Sequence, residues 1–81
     1  MIKIEVPDWC RIDDHIYWYA PEVYGVDEWV RERIIGYAYR YGQQGFLHQA
    51  VNCPLYFTPF SEFGKTVRLE KENDIVSRDN A

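Results

Sequence analysis

The sequence predicts an α+β fold: a small antiparallel sheet packed against one main helix at about residues 27–41. Three observations predict it. Val30, Ile34, Tyr37, Ala38 and Tyr41 recur at steps of three and four, the spacing of one helical face. Short runs elsewhere, IKIEV and KTVRLEK among them, alternate apolar with polar residues in the period of a half-buried strand. A length of 81 residues suits one domain built on one core.

Taken in order, Ile2, Ile4 and Val6 alternate with Lys3 and Glu5, and Pro7 ends that strand because it cannot donate to a ladder. Two β-prone runs, 9–12 and 15–19, flank Asp13-Asp14, where aspartates bond their own backbone and favour a turn, so a hairpin is expected. In its second arm Ile16 and Trp18 face one way and Tyr17 and Tyr19 the other, so both faces are apolar or aromatic. Ala20-Pro21 breaks the strand, and PEVYGV leads to the helix. Asp27 suits its N-cap, Glu28 and Glu32 its positive end, Arg40 its negative end and Gly42 its left-handed stop. Gly36 costs a helix about 1 kcal/mol relative to Ala and would admit a close backbone neighbour.

Residues 42–45 read as a loop, and 46–51 as a strand or a short second helix. Leu55, Tyr56 and Phe57 form a short apolar run that Pro59 confines to an edge or a bulge. Phe60 and Phe63 read as loop residues folded back on the core, and 65–71 as a strand with Val67 and Leu69 inward and a wet outer side. From Glu72 the chain is polar, giving a domain over 1–71 and a frayed tail over 72–81.

The net charge of −4 is uneven. Residues 1–32 hold eight acids against three bases, a balance of −5, and the remainder five against six, +1. A net acidic chain repels phosphate, which disfavours direct nucleic-acid binding and suits a basic protein partner. Three Trp, seven Tyr and four Phe are many for this length. At about 150–250 Å² buried per ring, they exceed what a small core needs, and surplus Tyr and Trp are the residues that anchor partners. The N-terminus reads as having no leader, and no run is long enough to span a bilayer, so a cytoplasmic location with reduced cysteines is expected.

The chain's Cys and His residues occur as Cys10-x4-His15 and His48-x4-Cys53. Thiolate and imidazole are ligands zinc prefers, and two such pairs brought together would make a tetrahedral site that staples a small domain. The spacing is loose, and no glycine-rich knuckle surrounds either pair, so packed cysteines with unrelated histidines are the favoured reading. Cys53 with His48, or Cys10 with His15 and Asp14, supplies a thiol and a base, yet neither matches a protease or transferase signature. GQQG lacks the Lys-Ser/Thr ending of a phosphate loop, and no cofactor is expected. Bases stack on Tyr and Trp, but a basic groove would have to come from Arg33, Arg40, Lys65, Arg68 and Lys71.

In composition the chain resembles small phage- or mobile-element-encoded inhibitors, being short, acidic, aromatic-rich and without a catalytic set. The expectation is therefore a non-enzymatic protein-binding module that occupies a functional surface of a larger protein, such as a nucleic-acid enzyme. Asp8, Asp13, Asp14, Glu28 and Glu32 would stand where phosphates sit, and Trp9, Tyr17, Tyr19 and Tyr39 would anchor the contact. The alternative is a small zinc-stapled or single-strand nucleic-acid-associated domain. Homodimerisation would help so small a core.

Overall fold

The stretch expected to be the main helix is the longest strand. In a computed structural model that describes residues 3–70, β2 runs over Trp29–Arg40. Its Trp, Val, Ile and Tyr residues lose rotamer freedom on a helix and pack well on a pleated surface. The helical spacing has two local causes. A β-bulge between Ile34 and Gly36 inserts an extra residue, so inward positions step by three from Ile34 to Tyr37. Glu32, a charge expected in solvent, is itself inward and fully buried, which hides the alternation Val30-Glu32-Ile34. The α+β class with one main helix therefore gives way to a sheet-dominated fold.

The other strands are β1 (His15–Tyr19), β3 (Gln43–Gln49), β4 (Tyr56–Pro59) and β5 (Val67–Leu69). All pairings between these strands are antiparallel, in the order β4-β3-β2-β1-β5. The helices described are one turn, α1 (Pro21–Tyr24), and a 3-10 turn at Phe60–Glu62. Gly42 still takes the left-handed conformation expected of it, but in a two-residue hairpin turn. Tyr41 and Gly42 have φ of 54° and 75°, the double positive φ that a type I′ turn requires. The loop expected at 42–45 is thus mostly strand. Pro59 lies on an edge strand, as its missing N–H demands.

The strand expected at the N-terminus does not join the sheet over residues 3–6, and Met1 and Ile2 fall outside the described residues. Gln44 holds the segment instead, accepting from the Glu5 N–H at 2.8 Å and donating to the Lys3 carbonyl at 3.3 Å. The first arm of the expected hairpin is a succession of turns. Asp13 N–H donates to the Ile34 carbonyl at 2.8 Å and Ile34 N–H to the Asp14 carbonyl at 2.9 Å, which fastens those turns to β2. The tail expected over 72–81 lies outside the described residues.

The core lies on one face of the sheet, around Ile16, Trp18, Ile34, Phe46 and Val67, with Cys10 and Ala20 added from the connections. Trp9 closes it, stacked on Phe63 at 4.4 Å and edge-on to Phe46 at 5.6 Å and Phe60 at 6.1 Å. Tyr24 and Tyr56 pack on Trp18 at 6.0 and 5.2 Å. Thus α1, the 3-10 turn and the Trp9 segment all cover the same side.

Gly45 marks where β3 and β4 press closest. A Cβ there would lie 2.3 Å from the Thr58 carbonyl oxygen and 2.7 Å from the Phe57 ring. Gly45→Ala should lower unfolding free energy by about 1–3 kcal/mol in a urea titration. Gly36→Ala, whose Cβ would meet only a Leu47 methyl at 3.9 Å, should be near neutral. Equal effects at both sites would refute the close approach.

Candidate functional site

Two polar constellations remain, one on each face of the sheet. On the core face, Glu32 of β2, His48 of β3 and Thr58 of β4 form a hydrogen-bonded row across three strands. His48 Nδ1 lies 2.5 Å from Glu32 Oε1, and His48 Nε2 lies 2.7 Å from Thr58 Oγ1. The Tyr24 hydroxyl donates to the second Glu32 oxygen. An ionised carboxylate only accepts, which assigns the Nδ1 proton to His48. Trp18 and Phe46 enclose the imidazole, with ring centroids at 4.6 and 5.0 Å. Burial, then the bond to Glu32, pushes the Tyr24 phenol well above its ordinary range. Glu32 and His48 have no exposure and Thr58 only 3%, so the row reaches no substrate and acts as a structural tie.

That enclosure also bears on the thiol–imidazole pairs. Both His48 nitrogens are engaged, leaving no lone pair for Cys53 or a metal. Cys10 is buried, and burial together with the Asp14 charge pushes its thiol up to about 12, so the nucleophilic thiolate is suppressed. The structure does not gather Cys10, His15, His48 and Cys53 into a ligand set. Among the described residues no group of three or more His, Cys, Asp or Glu is placed to hold a metal ion.

The opposite face is different in kind. Strand register places Arg33 beside His15, Arg31 beside Tyr17 and Trp29 beside Tyr19. On the other flank of β1, Tyr17 pairs with Arg68 of β5. Three rows result, in which Tyr17 stands between two arginines. Arg68 lies over the Trp29 ring at 4.4 Å, and Tyr19 meets Trp29 at 5.3 Å. Glu70 receives Arg31 Nε at 2.6 Å, and that guanidinium holds the Glu70 carboxyl below the usual carboxylate range. Arg40, near Phe57 at 6.0 Å, continues the face over β2. Arg31, Arg33, Arg40 and Arg68 are exposed, and Tyr17, Tyr19 and Trp29 are half-buried.

The residues expected to meet a partner are dispersed by this arrangement. Tyr17 and Tyr19 share the arginine-rich face, whereas Tyr39 is inward by register but exposed near the β2–β3 turn. Trp9 belongs to the core lid rather than to an open contact. Of the acids, Glu32 is buried within the sheet because Tyr24 and His48 satisfy its oxygens. Asp8 and Asp14 border a small cavity with Arg11 and His15, Asp13 stands beside Arg33 at 4.0 Å, and Glu28 lies just before β2, at the Trp29 end of the sheet. They form no single acidic surface. Sequence reasoning missed Trp29 and Arg31. Their signal was the alternation Trp29-Arg31-Arg33, overlooked once those residues were placed on a helix.

Two measurements probe the core face. His48→Ala, which leaves Glu32 buried without its partner, should cost about 3–5 kcal/mol of stability, and joint replacement of Glu32 and His48 by Leu should cost much less. Additive losses would show that the two residues act independently. The second is a pH series. Cys10 is held near 12 in the fold against an ordinary 9.0, so the unfolded chain releases this proton first. Stability should therefore be intact below about pH 9 and fall progressively towards pH 12, and Cys10→Ala should flatten that decline in urea midpoints.

No helix among the described residues is long and apolar enough to cross a membrane. No protein-family model, curated protein or solved structure matches the chain, so its function is argued from the geometry of these two faces.

Proposed function

We propose that the chain is a binding module for single-stranded nucleic acid whose recognition surface is the arginine-rich face of the sheet. The observation that carries this reading is the row Arg31–Tyr17–Arg68 set directly beside the row Trp29–Tyr19. Unpaired bases stack on aromatic rings, and guanidinium groups both stack and bind phosphate. Tyr17 and Tyr19 are two residues apart on one strand, about 6.8 Å, or twice the rise of stacked bases. A strand laid across them is drawn out of its own stack, one base to a ring. Such a platform favours single strands over duplex.

The overall acidity works against the reading only if charge is averaged over the chain. Local potential governs encounter, and here four arginines share one face with Glu70, with Asp13 and Asp27 at its borders. The same Tyr, Trp and Arg residues would also suit a protein partner, since those types dominate contact energetics. The flat alternation of ring and guanidinium favours bases.

The test is a fluorescence-anisotropy titration with a labelled single strand of about ten nucleotides. Tyr17→Ala and Trp29→Ala should each weaken binding by about 1–3 kcal/mol while far-UV dichroism is unchanged. Arg68→Ala should reduce the slope of log affinity against log salt by about 0.7. Salt-insensitive binding, or binding unaltered by the two aromatic substitutions, overturns the reading. A complete lack of binding does so too and returns the face to a protein partner.

A further inference from the structure

At the end of the face away from Trp29, a cavity of about 510 Å³ opens between the strands and the turn that follows β3. Its polar walls are His15, Arg31 and Arg33 on one side and Gln49 and Asn52 on the other, over an apolar floor that includes Ile35. The β-bulge creates that floor, because the extra residue Ile35 is set on the open face without a partner on β3. Ligand cavities commonly measure about 300–1,000 Å³. A flat heterocycle with a charged neighbour meets here an apolar floor, two carboxamides and paired guanidinium groups.

We infer that this cavity is a nucleotide pocket that takes one unstacked base bearing an exocyclic amine, together with its phosphate. The inference rests on the single-strand reading and assigns it a place where base identity is sensed. Gln49 donates its side-chain N–H to the Cys53 carbonyl at 2.8 Å, which fixes the carboxamide and leaves its oxygen as an acceptor. An acceptor held in place matches the amino group of adenine or cytosine, whereas uracil presents a carbonyl at that position. Arg33 is the phosphate ligand. Arg31, held by Glu70, braces the same wall.

Asp13 is the counterweight. Its carboxylate lies 4.0 Å from Arg33 Nη1, at the limit of an ion pair, with both side chains more than half exposed. It competes with a phosphate for Arg33 and repels it. Asp13 also has a positive φ of 76°, which Asn tolerates, so Asp13→Asn removes the charge without backbone strain. The carboxylate expected to imitate a phosphate here guards the place where one binds.

The test follows amide and side-chain NMR shifts of the full chain titrated separately with adenosine monophosphate, uridine monophosphate, adenosine and inorganic phosphate. Adenosine monophosphate should shift Arg33, Gln49 and Asn52 and bind more tightly than the other three. Arg33→Ala should weaken it about tenfold or more, Asp13→Asn should tighten it about two- to fivefold, and Glu22→Ala, on α1 outside the cavity, should leave it unchanged. Equal affinity for phosphate alone, or for the uridine nucleotide, overturns the assignment of a base pocket, and so does silence with adenosine monophosphate. Silence here with oligonucleotide binding intact removes this pocket alone. The reverse pattern removes the single-strand reading and keeps the pocket.

Discussion

The fold depends on one buried hydrogen-bonded contact, Glu32 against His48, extended to Thr58 and Tyr24. Each of the three central members comes from a different adjacent strand, with Glu32 and Thr58 each two residues from the residue paired with His48, so the row runs diagonally across the ladder and ties β2, β3 and β4 in register. A slip of one residue would turn Glu32 out to solvent and leave His48 buried without its acceptor, a state disfavoured by several kcal/mol. One buried face already specifies the register. Here the polar row adds a penalty for every alternative, and aromatic packing of Trp18 and Phe46 around the imidazole keeps water from relaxing it.

Because all the described coverings lie on that side, the chain has an asymmetric distribution of chemistry. The covered face takes Trp9, Phe46, Phe60 and Phe63 into one cluster of edge-on and stacked rings, with Trp18 packed on Tyr24, His48 and Tyr56 in the same core. The other face receives His15, Tyr17 and Tyr19 of β1 opposite Arg33, Arg31 and Trp29 of β2. A sheet with one packed and one exposed face is ordinary for antiparallel pairing. What is unusual is that the exposed side carries rings and guanidinium groups rather than short polar residues. The β-bulge serves both faces at once, since it returns Tyr37 to the core side and places Ile35 on the open one.

Much of the local architecture was legible in the sequence. Proline positions located the edge strand, β-prone residues located β1, alternation located β5, and the need for a left-handed residue at Gly42 was correct in conformation though assigned to a helix end. The error at 29–40 had a physical origin. Periodicity counts assume that charge faces water and that no residue is inserted, and Glu32 and Ile35 violate one assumption each. Composition carried the opposite signal, since this stretch is rich in β-branched and aromatic residues.

By itself, the sequence determined an aromatic-rich composition, that the segments around β1 and β5 are strands, and that Gly42 takes a left-handed conformation. Those properties follow from backbone sterics and local alternation. Tertiary structure alone decided which strands are neighbours, and so which residues share a row. Arg31, Tyr17 and Arg68 are far apart in the chain and adjacent only across β2, β1 and β5, whereas Asp13 and Asp14, adjacent in the chain, have different surroundings, Asp13 beside Arg33 and Asp14 in a cavity with Asp8. Pairing between distant segments is set by the packing of the whole sheet, and no local spacing encodes it.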